Sequence, residues 1–371
     1  MYPPFETGIV NLTEEVDGTG TIKVEPFGRL SDGRQARLFT LTNQNGMELK
    51  LTDFGAAVVS IIAPELPDGK KDMVLGFDDV SGYEATKLYL GATIGRYAGQ
   101  IKDGSFLIND RAYHLFVNDH GNTLHGGEKG FDKRLFSHAL SEENNEVVFT
   151  YFSPDMEEGF PGNLQVSSGY TLTEDNKVII RFQGKSDQDT ILNMTNHCYY
   201  NLDGHDSGTV AGHRLRICAE NYLKVGEDCA PDGEILPVAG SPMDFRTTHA
   251  IGDHMEDDDR QLAICQGYDH NWNIDHYGEG IRLCAELSGG SGRRSLKVYS
   301  DLPGLQMYSG NYLDGSETGK EKVRYNFREA LCLEPQFYPN ASYYKQFPSP
   351  FLKAGETFRH CIVLEFIYRR R

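Results

Sequence analysis

The sequence predicts an all-β fold, in the form of a large and mostly antiparallel β-sandwich. Short alternating apolar runs, rich in β-branched and aromatic residues, recur along the chain in the pattern of half-buried strands. Asp-Gly and Asn-Gly dipeptides separate these runs, because such pairs tolerate the positive φ angles of tight turns. Helical periodicity is weak everywhere. Together the three observations favour two packed layers of strands.

Four segments show the strand pattern most clearly: Val147–Phe152, Lys177–Phe182, Ser295–Ser300 and Cys361–Tyr368. The turn dipeptides are Asn45-Gly46, Asp68-Gly69, Asp103-Gly104, Asp232-Gly233 and Asp314-Gly315. In addition, Ser105–His114 predicts a single hairpin that turns at Asn109-Asp110.

Two segments have the spacing of short helices, Val80–Leu88 and Asp253–Cys265. In the second, the acidic run Glu256–Asp259 favours a helix start through the helix dipole. No linker or low-complexity tract divides the chain. We therefore expect residues 1–26 to be a polar lead-in or edge extension and residues 27–371 to form one domain.

The composition argues against polyanionic partners. The chain has 371 residues and a formal net charge of −18, which would repel nucleic acid and anionic membrane surfaces. A neutral small molecule suits this charge better. The N-terminus lacks the pattern of a signal peptide, and no apolar run approaches the ~20 residues that span a bilayer. We expect a cytoplasmic protein that is a monomer or a weak homodimer.

The cysteines predict no disulfide framework and no zinc knuckle. There are seven of them, scattered along the chain and without a C-x-x-C pair. We expect all seven to be reduced.

Reactive polar residues gather in five places, of which the first two carry histidines. His125 precedes Gly126 and Gly127, where the backbone can turn sharply and approach a ligand. A hairpin turn with an exposed imidazole is the alternative. In a strand, His197 shares one face with Thr195 and Tyr199, which suits sugar recognition. A polar edge strand with a core tyrosine would give the same pattern.

The other three places supply carboxylates and an amide. Asp269 stands near Trp272, the only tryptophan, as in sites where a ring covers a sugar and a carboxylate binds its hydroxyls. The alternative is that Asp269 is an ordinary turn residue. Gln306 is polar inside an apolar extended run. Glu334 closes a buried-looking strand, and Pro335 keeps it extended. Burial raises the pKa of a carboxyl group, which suits a general base. The alternative is a structural glutamate that is buried because it pairs with an arginine.

These five clusters, in this order, resemble the galactose mutarotase (aldose 1-epimerase) family from about Phe27 to about Phe366. Asn122–Lys133 and Met194–Gly204 are similar to its most specific motifs, and Leu302–Gly310 and Leu331–Gln336 to two more.

The resemblance implies a β-supersandwich that opens and recloses the ring of a monosaccharide without a cofactor or a metal. Glu334 would be the base at the anomeric hydroxyl, and His197 the acid at the ring oxygen. His125 would stabilise the open form. Asp269 and Gln306 would bind hydroxyls and hold the sugar still.

One position departs from the family pattern. In Gly95–Ile101, Gln100 stands where the family usually has an arginine that contacts the sugar. Glutamine keeps hydrogen-bonding capacity but loses the charge and the planar fork, which predicts weaker binding. Arg96 is a candidate substitute for the missing arginine.

Three other functions are compatible with the same residues. One is a non-catalytic or altered-specificity sugar-binding protein on the same fold, although binding alone needs no acid and base. Another is a glycoside hydrolase with Asp269 and Glu334 as its carboxylate pair, which requires a defined separation across an open cleft. A mutarotase for phosphorylated hexoses fits less well, because no arginine cluster near these motifs offers a phosphate clamp.

Overall fold

Antiparallel strands dominate the structure, a computed structural model that describes residues 21–369. Within that range the strands are β1 (Thr21–Arg29), β2 (Gln35–Thr42), β3 (Glu48–Thr52), β4 (Ala57–Ile62), β5 (Thr93–Ile94), β6 (Gln100–Ile101), β7 (Ser105–Ile108), β8 (Arg111–His114), β9 (Thr123–Leu124), β10 (Ser137–Ser141), β11 (Glu146–Ser153), β12 (Leu164–Leu172), β13 (Lys177–Ser186), β14 (Thr190–Ile191), β15 (Thr195–Asn196), β16 (Tyr199–Tyr200), β17 (Arg214–Ile217), β18 (Asn221–Val225), β19 (Pro231–Pro237), β20 (His249–Ala250), β21 (Asp269–Asn273), β22 (Arg282–Ser288), β23 (Arg294–Ser300), β24 (Gly304–Tyr308), β25 (Leu331–Gln336), β26 (Phe351–Leu352) and β27 (Thr357–Tyr368). The α-helices are α1 (Val80–Ala85) and α2 (Arg260–Cys265). Short 3-10 turns cover Lys102–Gly104, Phe131–Lys133, Glu157–Gly159, Val210–Gly212, Ile251–Asp253 and Lys320–Lys322.

Three sheets form the body of the fold. One has the order β1-β2-β3-β4, the second β10-β11-β12-β13-β27-β23-β22-β17-β20, and the third β16-β25-β24-β21-β18-β19. The pairs β5–β15, β6–β9, β7–β8 and β14–β26 complete the pairing of the named strands. The four strand segments singled out by their sequence pattern lie within β11, β13, β23 and β27 of the nine-stranded sheet. The predicted β-sandwich is confirmed.

One apolar core joins the three sheets. Val298 and Leu364 enter it from the nine-stranded sheet, Met307 and Leu333 from the six-stranded sheet, and Leu49 from the four-stranded sheet. Each is fully or almost fully buried. Burying such a side chain contributes roughly 1.5–3 kcal/mol, so this core stabilises the whole assembly of sheets.

The two faces of β25 have different surroundings. Leu331 and Leu333 enter the core, whereas Cys332, Glu334 and Gln336 point to the opposite face. This follows from the two-residue period of a strand. A register slip of one residue would bury Glu334 in the core, so the leucines fix where the carboxylate points.

The hairpin and both helical segments are confirmed. Strands β7 and β8 pair across Asn109 and Asp110, which both have positive φ. Helix α1 starts at its cap, Asp79, and the side chain of Asp259 caps α2. Both helices are shorter than predicted: α1 ends at Ala85, and α2 begins at Arg260, after the acidic run. No helix within residues 21–369 is long and apolar enough to cross a membrane.

The predicted lead-in, residues 1–26, contains the start of the four-stranded sheet. Strand β1 begins at Thr21 and pairs with β2 as the edge of that sheet. Residues 1–20 lie outside the described part of the chain.

The cysteine prediction is wrong for one pair. Cys229 and Cys265 form a disulfide, with Cα atoms 5.6 Å apart and a sequence separation of 36. The other five cysteines are free. The bridge joins the β18–β19 turn to the end of α2, two elements that only the fold brings together.

Candidate active site

A cavity of about 330 Å³ lies over the face of β21, β24 and β25 that points away from the core. Its volume is at the small end of the range for small-molecule sites, about 300–1,000 Å³. Six of the seven predicted site residues line it: Gln100, His125, His197, Asp269, Gln306 and Glu334. The sequence-predicted residues thus converge on one pocket of monosaccharide size.

Glu334 lies at the floor of this cavity and is 2% exposed. Burial, reinforced by the charge of Asp269, raises the pKa of its carboxyl group well above the ordinary value. Its Oε2 has no hydrogen-bond partner among the described residues, and no arginine pairs with it there. The alternative of a structural glutamate held by an arginine is therefore excluded for the described chain. A carboxyl group in this setting binds a proton more tightly than usual and has one oxygen free for a ligand.

His197 lies beside Glu334, in the break between β15 and β16. Its Nε2 is 3.6 Å from Oε1 of Glu334, and its Nδ1 is 3.5 Å from Sγ of Cys332. The ring stacks on Tyr199, with centroids 5.1 Å apart. Burial lowers the pKa of His197 to about 4. Thr195 does not line the cavity, and its hydroxyl donates to Pro335 O of β25.

His125 forms a second wall of the cavity and is 9% exposed, so it is not the exposed turn imidazole. Its backbone N–H donates to Gly99 O, and its Nδ1 accepts from Gly99 N–H at 3.1 Å. The proton of the neutral ring is therefore on Nε2. Burial, with the nearby His197, lowers its pKa well below the usual range. Gly126 is required next to it, because a Cβ there would meet Gly95 O at 2.1 Å.

Asp269 and Gln306 lie on neighbouring strands and are hydrogen-bonded. Gln306 Nε2 donates to Asp269 Oδ1 at 2.7 Å, and Gln306 stands directly opposite Glu334 across β24 and β25. Burial raises the pKa of Asp269 to about 7, while the bond from Gln306 acts against this. Asp269 is thus a strand residue and not part of a turn. Gln306 Oε1 stays unpartnered within the described chain.

Gln100 and Arg96 have separate environments. Gln100 lines the cavity, at the start of β6. Arg96 does not: its Nε donates to Ser153 Oγ, and its Nη atoms donate to the carbonyls of Ser153, Pro154 and Pro161. The expectation that Arg96 binds substrate is corrected, because its guanidinium is committed to the protein backbone.

The aromatic lining also differs from the prediction. Trp272 is fully buried in the core and its Nε1 donates to Met243 O, so it cannot cover a sugar. Tyrosines supply the rings instead, and those that line the cavity are Tyr89, Tyr199, Tyr308 and Tyr312. No sequence pattern indicated this, since tyrosines are common along the whole chain.

Two residues near Glu334 were missed by sequence reasoning. Gln336 lines the cavity, and Cys332 contacts the ring of His197. Both are two positions from Glu334 on β25. The period of two would have found them once Glu334 was assigned to the cavity face.

The cavity is acidic. Four carboxylates line it, those of Asp119, Asp228, Asp269 and Glu334. Lys87 is the single lysine or arginine among the lining residues that the structure describes. This charge balance favours a neutral ligand over a phosphorylated one.

One group of side chains in the described part of the chain is able to hold a metal ion, because its ligand atoms lie within 4.8 Å of one another: His197, Cys332 and Glu334.

A second cavity, of about 570 Å³, adjoins the β7–β8 hairpin, and its lining residues include no carboxylate and no imidazole. Of these two cavities, only the first is lined by carboxyl and imidazole groups.

Comparison with known proteins gives one consistent result. The aldose 1-epimerase family profile matches residues 37–365. Galactose mutarotase from Homo sapiens is 36% identical over 341 residues, covering 92% of this chain and 97% of that protein. Aldose 1-epimerase from Escherichia coli K12 is 37% identical over 340 residues, covering 91% and 96%. The solved structure of a galactose 1-epimerase from Lactobacillus acidophilus superposes with a TM-score of 0.82 at 28% identity, covering 94% of this chain and 99% of that one.

Proposed function

This chain belongs to the aldose 1-epimerase family, and we propose that it interconverts the α and β anomers of a free aldose such as galactose or glucose, with Glu334 and His197 as its acid–base pair. The observation that carries the assignment of the pair is the contact between these two buried side chains, together with the unpartnered Oε2 of Glu334. Binding alone would require neither group.

We assign one shared proton to the pair formed by Glu334 and His197. The raised pKa of Glu334 and the lowered pKa of His197 place that proton on the carboxyl group, because the dry cavity disfavours both charges. We assign the proton of the neutral His197 ring to Nδ1, beside Cys332 Sγ, which leaves Nε2 free to accept a second proton. Transfer from Glu334 to Nε2 gives a carboxylate beside an imidazolium. Sugar hydroxyls in the cavity stabilise these charges.

Ring opening uses both groups of this charged pair. The carboxylate of Glu334 takes the proton of the anomeric hydroxyl, a C1=O double bond forms, and the C1–O5 bond breaks. Its electron pair goes to O5, which receives the proton of His197 Nε2. Rotation about C1–C2 presents the other carbonyl face, and the same steps in reverse close the ring. The protons move only between sugar and side chains, so these steps use no cofactor. Each such transfer contributes about 10²–10⁴-fold.

The other lining residues hold the sugar during these steps. His125 donates from Nε2 near the ring oxygen, where negative charge develops as the bond breaks. Asp269 and Gln306 bind hydroxyls as a pre-formed pair. Gln100 offers a neutral donor and acceptor in the same cavity.

We also propose a domain organisation, an oligomeric state and a class of excluded partners for this protein. Residues 27–371 form one catalytic domain, as a monomer or weak homodimer, and the net charge of −18 keeps it from nucleic acid and anionic membranes. A cytoplasmic location stays a prediction. The disulfide between Cys229 and Cys265 is more typical of an oxidising compartment.

Polarimetry of freshly dissolved α-D-galactose and α-D-glucose tests the function. We expect the wild type to accelerate equilibration, and Glu334→Gln and His197→Asn each to lower kcat at least about 100-fold. Calorimetric titration with the sugar separates loss of chemistry from loss of binding. A Glu334→Gln variant that keeps its activity would overturn the assignment of the base, and a wild type no faster than buffer would overturn the function.

A further inference from the structure

Gln336 is a buried polar side chain whose hydrogen-bonding groups are unused. It is 1% exposed and lines the cavity. Neither its Oε1 nor its Nε2 has a partner among the described residues. A glutamine amide offers two donor hydrogens and two acceptor lone pairs, and leaving them unpaired in a protein interior is costly. Native proteins keep such groups where a ligand or water completes the bonds.

The position of Gln336 is fixed by the backbone that follows it. Phe337 N–H donates to Asn193 Oδ1, and Asn193 Nδ2 donates to Phe337 O and to Ala98 O. These buried hydrogen bonds restrict the movement of the backbone at the end of β25. An amide on so rigid a support is preorganised for binding.

The neighbouring strand places no side chain of its own directly opposite Gln336, and Asn271 of β21 fills part of the space there. Its cross-strand partner on β24 is Gly304, which has no side chain. A Cβ at Gly304 would meet Asn271 Oδ1 at 2.5 Å, so the glycine is required there. Glu334, by contrast, faces Gln306. No side chain from the partner position therefore covers the amide of Gln336.

We propose that Gln336 is a substrate-binding residue that holds the hydroxyl on carbon 2 of the sugar. Glu334 serves carbon 1, and Gln336 is the next residue on the same face of β25, about 7 Å along the strand. Long side chains at that spacing reach neighbouring hydroxyls of one ring. The contact holds C2 while C1 rotates about the C1–C2 bond. This inference rests on the proposed function.

The contact makes a specific kinetic prediction. The hydroxyl on carbon 2 does not react, so its bond to Gln336 is present in both the bound substrate and the transition state. Gln336→Met keeps the length of the side chain and removes both polar atoms. We expect it to raise KM for D-galactose and D-glucose about 5- to 10-fold, with kcat within about twofold of wild type.

The 2-deoxy sugars provide the decisive comparison. With 2-deoxy-D-galactose and 2-deoxy-D-glucose, Gln336→Met and wild type should have KM values within about twofold of each other, because the partner of the amide is missing. An equal rise in KM on the deoxy and the parent sugars would overturn the proposal, since it would indicate a general structural effect. Gln188→Met, an exposed glutamine outside the cavity lining, is the matched control and should behave as wild type.

Calorimetry keeps this test separate from the proposed function. If the wild type does not accelerate mutarotation, the proposed function fails, and titrations of wild type and Gln336→Met with D-galactose and its 2-deoxy analogue still measure the contact. A loss of affinity confined to D-galactose supports the binding role. Equal affinities of both proteins for D-galactose overturn it.

Discussion

Nε2 of His197 lies 3.6 Å from Oε1 of Glu334, with both side chains buried at the floor of one cavity. At this separation the two groups titrate as a coupled unit, so the number of protons on the pair matters more than the residue that holds them. The singly protonated pair provides an acid and a base at once. The doubly protonated pair lacks the base, and the unprotonated pair lacks the acid.

The pH dependence of kcat/KM follows from this proton count. The second proton is added to His197, whose pKa is lowered to about 4, so activity should fall as the pH falls through that value. The first proton leaves Glu334, whose pKa is raised by burial, so activity should fall again as the pH rises through that raised value. We expect a broad plateau between the two limbs, measured by polarimetry after subtraction of the spontaneous rate. An acid limb at the ordinary glutamate value near 4.5, with no alkaline limb, would contradict the singly protonated pair.

Asp269 provides a check within that plateau. Its pKa is raised to about 7 by burial, so its charge changes where the pair is unchanged. We expect a step in KM near pH 7 that disappears in Asp269→Asn. In this variant the acid limb of kcat/KM should stay in place, and the alkaline limb should move to lower pH because the charge that helps to raise the pKa of Glu334 is gone.

Cys332 should act on the reaction through His197. Its Sγ is 3.5 Å from Nδ1 of His197, and burial raises the pKa of the thiol well above its usual range. Cys332→Ala removes this contact and frees the ring to rotate. We expect kcat to fall about 3- to 10-fold with little change in KM, because one weak hydrogen bond is lost. Cys332→Ser, which keeps an acceptor, should recover part of the rate. Equal effects of both substitutions on kcat and on thermal stability would indicate a packing role only.

The alternation of apolar and polar residues along the strands predicted much of this site. The apolar runs identified the central strands of the nine-stranded sheet, and the polar exceptions Gln306 and Glu334 proved to be cross-strand partners over the cavity. The predicted positions of the Arg96 and Trp272 side chains were wrong for the same reason. Residue type suggested contact with sugar, but only the fold decides which face of the chain meets the core. Arg96 binds backbone carbonyls, and Trp272 fills the core between the sheets.

The disulfide was beyond sequence reasoning, since Cys229 and Cys265 belong to no motif and meet only in the folded chain. The disulfide can be tested by counting the reactive thiols. Thiol titration of the denatured oxidised protein should find five reactive cysteines, and seven after reduction. Seven before reduction would show that the pair is reduced in solution.

The same bridge should stabilise the fold. Closing a loop of 36 residues is worth about 4 kcal/mol in the chain-entropy description. Cys229→Ser with Cys265→Ser should therefore lower the free energy of unfolding by about 2–4 kcal/mol in urea titrations. Because Cys229 also lines the cavity and both sulfurs lie within 4.0 Å of Asp269 O, KM should rise as well. Cys218→Ser, at a free and half-buried cysteine outside the cavity lining, is the control.

Gln100→Arg tests what the departure from the family pattern does. The new guanidinium would enter a cavity with four carboxylates and one lysine, where a charge-assisted bond to a hydroxyl is stronger than the amide bond it replaces. We expect KM for D-galactose to fall about fivefold, which corresponds to about 1 kcal/mol. A cation near Glu334 also favours the carboxylate and lowers its pKa, so the alkaline limb of kcat/KM should move to lower pH. Gln188→Arg adds the same charge outside the cavity lining and should change neither quantity. An unchanged KM and an unmoved alkaline limb in Gln100→Arg would mean that residue 100 reaches neither the sugar nor the acid–base pair.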